Sequence, residues 1–430
     1  MSTQQVSMLF LALALISLLA FAAGAVARRL RQPPVIGEVL LGVLLGPTLL
    51  SATVSHTLFP QDLRPFLTAL ANIGVALFTF TVGAELDAGL MRGRRVVAGT
   101  VAAGSIALPF LLGTLLALYL FHHHPTHDRT GFALFMGTAM SVTAFPVLAR
   151  ILTDRGMQRT WLGNVALACA AIDDVLAWTL LAVVMAVSGA GTGSQWLLLL
   201  FVPYLLLMFT VVRPALRHLL EHRRVADPRR PTAMVVTLVG LLASAAFTEW
   251  IGLHFIFGAF VFGAVMPRRT TGGERADVTT QIAERFSYLN DLLLLPVFFV
   301  VAGLNVNLSG MDGTDVVELG LILAVAVGGK FIGAFVAARA TGMKSRPASA
   351  LAVLINTRGL TELIILTVGL QLGALDGELY STMVVMALVT TAMAGPLLQL
   401  IYPVRRAQWT LEPGEAVHHE AHVGPEGKGR

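Results

Sequence analysis

The chain has 430 residues, of which 56% are hydrophobic and only 13% charged, with a mean hydropathy of +0.76. A soluble domain carries about 25% charged residues, so a water-soluble globular protein is excluded, and no nucleotide-binding motif suggests coupling to ATP. The net charge of +5 does not indicate nucleic acid, because the bases follow a topological pattern instead of forming a patch.

Thirteen apolar segments long enough to span a bilayer follow one another: 6–27, 35–51, 66–86, 96–121, 131–152, 161–189, 195–216, 232–250, 252–267, 290–308, 316–338, 347–375 and 378–402. The first lacks a basic leader and its arginines (Arg28, Arg29, Arg31) follow it, so it reads as a retained span and not a signal peptide. With the N-terminus outside, the inside segments collect Arg92, Arg94, Arg95, Arg150, Arg155, Arg159, Arg213, Arg217, Arg223, Arg224, Arg229, Arg230, Arg268, Arg269, Arg275, Arg285, Arg339, Lys344, Arg346 and four bases in the tail. The outside segments hold only Arg64 and Arg129, beside acids such as Asp312, Asp315, Glu318, Asp376 and Glu378. This asymmetry predicts an N-out, C-in protein. Little lies outside the membrane: a basic loop near 220–231, a polar segment 268–289 and a tail. The single Cys169 lies within a span and forms no intrachain disulfide.

The halves resemble each other at an offset of about 220 residues. Leu77–Gly83 aligns with Val297–Gly303, continuing to Asp87 and Asn307, and Gly37 and Gly42 fall opposite Gly258 and Gly263. Six spans per half around a seventh connecting span predict an inverted repeat, a common plan of secondary transporters. The expected fold is an all-α polytopic membrane protein of about thirteen transmembrane helices, N-out/C-in, in two inverted six-helix repeats with crossed broken helices.

The breaks are expected at Ser141-Val142-Thr143-Ala144-Phe145-Pro146 in span five and Asn356-Thr357-Arg358-Gly359 in span twelve. Proline removes a backbone donor and disfavours helix just before it. Unwound backbone at membrane depth is tolerated only inside protein or along a watery cavity.

Asp173 and Asp174 interrupt span six, where each buried charge costs about 2.5–3.5 kcal/mol on insertion scales. Two adjacent carboxylates repel, so the pair is expected to hold a proton or a small cation, which is the physical basis of exchange. Successive helical positions point about 100° apart, so one carboxylate binds the ion and the other meets a base. Asp174 is the expected ion ligand, Asp173 its partner, and Lys330 in span eleven the base that faces Asp173. Arg358 and Glu362, four apart, either neutralise each other or let Arg358 offset the negative ends of broken helices. Ser141, Thr143, Asn356 and Thr357 offer oxygen donors suited to a hard monovalent cation. Glu38, Glu85, Asp87 and Asp291 lie near span ends and are expected to be solvated or structural. The histidines His122, His123, His124 and His127, and His418, His419 and His422 in the tail, are candidates for metal binding or pH sensing, but they lack helical metal-site spacing and read first as solvated runs. No cofactor and no catalytic or metal-binding residue is indicated.

Six segments together resemble the monovalent cation:proton antiporter-2 family, which includes bacterial sodium/proton antiporters and the membrane part of plant cation/proton exchangers. They are QPPVIGEVLLGVLLGP (32–47), SVTAFPVLARIL (141–152), AAIDDVLAW (170–178), LLLLPVFFVVAGLN (292–305), GGKFIGA (328–334) and NTRGLTEL (356–363). The resemblance implies a dimerisation panel (1–95 and 232–308), an ion-binding core (96–190 and 309–402), a linker helix with a basic cytoplasmic loop (195–231) and a short cytoplasmic tail (403–430). It implies a homodimer in the cytoplasmic membrane whose core moves like an elevator, with the ion-binding Asp at Asp174, a variable position at Asp173 and a core lysine at Lys330. Members with Asp at the variable position tend to exchange two protons per sodium electrogenically, whereas many plant potassium exchangers carry Asn there. The large cytosolic domain of potassium-efflux relatives is not expected after the last span, so regulation by nucleotides or glutathione is not implied. The reading is a Na⁺ or K⁺/H⁺ antiporter; a K⁺/H⁺ exchanger or a cation-coupled organic-solute symporter on the same fold, and more remotely a non-transporting sensor, stand beside it.

Overall fold

The computed structural model describes residues 2–46, 48, 60–85, 95–124, 126, 128–157, 160–188, 200–221, 232–267, 278–309 and 311–402. Asp87, His127, most of the basic loop near 220–231 and the tail 403–430 with its histidines lie outside them.

Helices in chain order are α1 (Thr3–Arg29), α2 (Pro34–Leu45), α3 (Arg64–Glu85), α4 (Arg95–Leu120), α5 (Arg129–Ser141), α6 (Phe145–Asp154), α7 (Trp161–Ser188), α8 (201–221), α9 (Thr232–Trp250), α10 (Phe255–Val265), α11 (278–304), α12 (Gly313–Ala340), α13 (Ser345–Ile355), α14 (Leu360–Gln371) and α15 (Gly377–Ile401). Their starts follow from local chemistry. Asp312 caps α12 by accepting from the backbone amides of Thr314 and Asp315, and Asp315 returns the bond to Asp312. Asp376 caps α15 through the amide of Leu379 at 2.8 Å, and Pro34 opens α2 at a position that needs no amide hydrogen.

Polarity is inverted relative to a soluble protein. Large apolar side chains such as Phe10, Leu18 and Phe21 on α1 and Val336 on α12 are exposed, while Asp173, Lys330, Arg358 and Glu362 are fully buried. That distribution suits a chain surrounded by lipid. Among the described residues, nine helices are long and apolar enough to cross a membrane, or ten if the bent pair α13–α14 is one span. The chain is a multi-pass membrane protein. Of the remaining expected spans, 35–51 and 252–267 contain the shorter apolar helices α2 and α10, and 195–216 overlaps α8.

Within the polar segment 268–289, expected outside the membrane, the chain is already helical from 278 and runs unbroken to 304, so the helix that holds the expected span 290–308 starts before it, and Thr279–Leu304 is a candidate span by length and composition. Ile282, Ala283 and Phe286 turn inward, and the Phe286 ring stands edge-on to Phe80 at 5.8 Å.

The helices pack in two groups. In one, α2 lies on α11 and α10 on α3, with α1 against α2 and α9 against α10. In the other, α4 packs on α12, with α5, α6, α7, α13, α14 and α15 around them. Glycines permit the closest approaches: Gly42 meets Gly303, Gly83 meets Gly263, and Gly104 meets Gly333 so tightly that a β-carbon at any of them would strike the facing backbone.

Candidate functional site: a buried carboxylate pair at crossed helix breaks

The backbone unwinds where the sequence places its two interruptions. Residues 142–144 separate α5 from α6, and 356–359 separate α13 from α14, which bend by 43°. Pro146 sits in the first turn of α6, where its missing amide costs nothing. The breaks touch: the amide of Ala144 donates to the carbonyl of Thr357 at 3.1 Å. Gly359 makes the approach sterically feasible, since a β-carbon there would strike Val147.

The carboxylates of α7 stand at this crossing, both fully buried. Asp173 is held from several sides. Thr143 Oγ1 donates to its Oδ2 at 2.5 Å while lying 3.0 Å from the carbonyl of Ile355. Ser105 Oγ on α4 lies 3.3 Å from the same oxygen. Lys330 Nζ on α12 lies 3.7 Å from it and donates to the carbonyl of Ser141. Asp174 differs. Neither of its oxygens has a hydrogen-bond partner among the described residues. The pair therefore divides as helical geometry requires: one carboxylate is anchored by side chains, and the other is buried with only the Phe145 amide, at the start of α6, turned toward it.

Arg358 does both jobs that the sequence left open. Its guanidinium meets Glu362 Oε1 at 2.6 Å and also donates to the carbonyls of Ala139 and Met140, at the carbonyl end of α5. Its own carbonyl accepts from Thr391 on α15 at 2.7 Å. A planar fork with several donors suits that task. Ser141 turns its hydroxyl back to Thr138, Thr357 turns its own to Leu354, and Asn356 Oδ1 has no partner among the described residues. Ser105 and Thr391 were not singled out in the sequence; each is one hydroxyl among many in apolar helices, and only the packing of α4 and α15 identifies them.

A cavity of about 300 Å³ opens beside the crossing, between the two helix groups. Glu38, Asp291, Arg150, Pro146 and Leu360 are among the residues that line it, the last two being the first-turn residues of α6 and α14.

Residues 14–402 match the family model described as sodium/hydrogen exchanger, transmembrane. The chain belongs to this family of membrane transporters. It is 38% identical over 384 residues to the Na(+)/H(+) antiporter NhaS4 of Synechocystis sp., covering 87% of this chain and 92% of that protein. It is 36% identical over 387 residues to Cation/H(+) antiporter 15 of Arabidopsis thaliana, covering 88% of this chain but only 46% of the plant protein. The fold matches that of the sodium proton antiporter MjNhaP1 from Methanocaldococcus jannaschii with a TM-score of 0.60 and 17% identity, over 94% of this chain and 97% of that one. At that identity the likeness concerns the fold alone.

Proposed function

We propose that the chain is a secondary active antiporter that exchanges a monovalent cation, Na⁺ or K⁺, for protons across the cytoplasmic membrane. The observation that carries this reading is Asp174: a carboxylate fully buried in a membrane helix, faced among the described residues by only the Phe145 amide and by no base of its own, beside a second carboxylate already tied to a lysine. An uncompensated charge at that depth is too costly to persist, so the site is occupied by a proton or by a cation. Alternation between the two occupants is exchange. The antiport activity carried in the names of the Synechocystis and Arabidopsis relatives supports the same reading.

The cation approaches through the cavity between the helix groups and is held by Asp174, with Asp173 and the oxygens exposed at the breaks completing a hard-donor shell. Lys330 offsets the charge of Asp173 when the cation is absent. Two carboxylates at the site favour more than one proton per cation, hence electrogenic exchange. The group α4–α7 with α12–α15 acts as the moving core against α1–α3 and α9–α11 as the panel of a homodimer, with α8 as linker. The glycine contacts favour the inverted repeat: exchanging α2 with α10 and α3 with α11 converts the Gly42–Gly303 contact into Gly263–Gly83.

The test is proton flux in proteoliposomes, titrating Na⁺, K⁺ and Li⁺ with wild type beside Asp174→Asn. Cation-triggered proton movement that vanishes in the variant supports antiport and names the ion. Flux with none of the three would end this reading in favour of an organic cargo or a silent sensor.

A further inference from the structure

The histidine run read from sequence as solvated is in part buried. His124, in the connection between α4 and α5, is 4% exposed and lies between two carboxylates from other helices. Its Nδ1 is 2.6 Å from Asp376 Oδ2 and its Nε2 is 2.8 Å from Glu318 Oε2. A neutral imidazole has one donor and one acceptor nitrogen, so only the doubly protonated ring satisfies both contacts. His123 Nδ1 lies 2.6 Å from the second oxygen of Glu318. Among the described residues no group of three or more His, Cys, Asp or Glu side chains is arranged to hold a metal ion, so the cluster is one of charge pairing.

Its position gives it leverage. Glu318 lies near the start of α12, the helix that brings Lys330 to Asp173, about 18 Å further along its axis. Asp376 caps α15, whose Thr391 holds the carbonyl of Arg358. His124 follows α4, which contributes Ser105. The three elements that meet at His124 therefore also meet at the crossing.

We propose that His124 is a proton-dependent clasp that pins together α4, α12 and α15 at the face opposite the arginine-rich segments, and that loss of its proton frees these ends and slows exchange. His124 is thus a positioning residue for the site, and the part concerning exchange rests on the antiport reading. Burial works against the charge, but the bonds to Asp376 and Glu318 outweigh it and lift the pKa from 6.5 to about 9. The stability that the clasp contributes is therefore fully present below about pH 6.5 and is lost as pH rises through about 9, where the folded ring gives up its proton. The charged and titratable groups around it are His122 and His123 after α4, Asp128 and Arg129 at α5, Asp312, Asp315 and Glu318 at α12, and Asp376 and Glu378 at α15. Acids dominate, which favours the protonated ring.

Two measurements test this on the full-length protein. In the first, the melting temperature of purified protein is followed from pH 6 to 10.5. Wild type is expected to lose stability through about pH 9, His124→Gln to lack that step, and Glu318→Gln to show it about one pH unit or more lower. In the second, exchange in proteoliposomes is followed as the pH on the clasp side rises at fixed pH gradient; the wild-type rate should fall about tenfold between pH 8 and 10, and His124→Arg should be spared. Melting requires no transport, so a wild type inert to every cation would end the antiport reading while leaving the clasp measured. Wild-type pH profiles in Glu318→Gln and His124→Gln would overturn the clasp. If His124→Gln does not fold, an unshifted step in Glu318→Gln overturns it alone. A melting step without any change in exchange rate would overturn its link to transport.

Discussion

Lys330 and Asp173 form an ion pair without a short hydrogen bond: Nζ stands 3.7 Å from Oδ2 and donates to the carbonyl of Ser141 at the helix break. The lysine thus offsets the charge of the carboxylate while the Thr143 hydroxyl donates to it directly. Removing the lysine should leave a buried unpaired charge. Lys330→Ala is expected to destabilise the protein by about 3–5 kcal/mol, read by denaturation in detergent, with part of the loss restored by saturating Na⁺ or K⁺. Stability unchanged from wild type would show that the pair is not formed.

Asp174 should respond oppositely. Among the described residues only the backbone amide of Phe145, at the start of α6, is turned toward Asp174, so Asp174→Asn removes charge while keeping an acceptor for that amide. The variant is expected to melt at or above the wild-type temperature and to lose more than about 100-fold in exchange rate. A folded variant with wild-type flux would remove Asp174 from the mechanism.

Thr143 joins the two breaks to the anchored carboxylate. Thr143→Val keeps the shape and deletes the 2.5 Å bond to Asp173. Hydrogen bonds to charged groups contribute about 1.5–3 kcal/mol, so the apparent KM for the cation should rise about 10- to 100-fold. An unchanged KM would mean that Asp173 orientation does not govern binding.

Arg358 bridges Glu362 and two backbone carbonyls, a geometry that an ammonium cannot reproduce. Arg358→Lys is expected to lower stability by about 2 kcal/mol or more, and Arg358→Ala by more again, since Glu362 is then buried alone. Thermal melting with wild type alongside measures both, and equal melting of all three proteins would contradict the bridging role.

The site was legible where chemistry conflicts with its surroundings. Asp173, Asp174 and Lys330 stand out because charge in an apolar run needs a reason, and Pro146 and Gly359 mark breaks by their backbone limits. Ser105 and Thr391 did not stand out, because a hydroxyl in a membrane helix usually turns back to its own backbone; Thr367 bonding the carbonyl of Leu363 is an example. His124 was misread for a different reason. Its partners lie 194 and 252 residues away, so a polar loop and a buried charged bridge look alike in one dimension. The helical lead-in 278–289 of α11 was not legible because its buried apolar face carries just Ile282, Ala283 and Phe286, too narrow a stripe to offset Glu284 and Arg285 in an average.

The central claim is that proton and cation compete for Asp173 and Asp174. Calorimetric titration of the purified protein with Na⁺ and with K⁺, in buffers of different ionisation enthalpy, counts protons released as the cation binds. The account predicts release in step with binding for at least one of the two ions, and none in Asp174→Asn. Binding with no proton released in the wild type would contradict it.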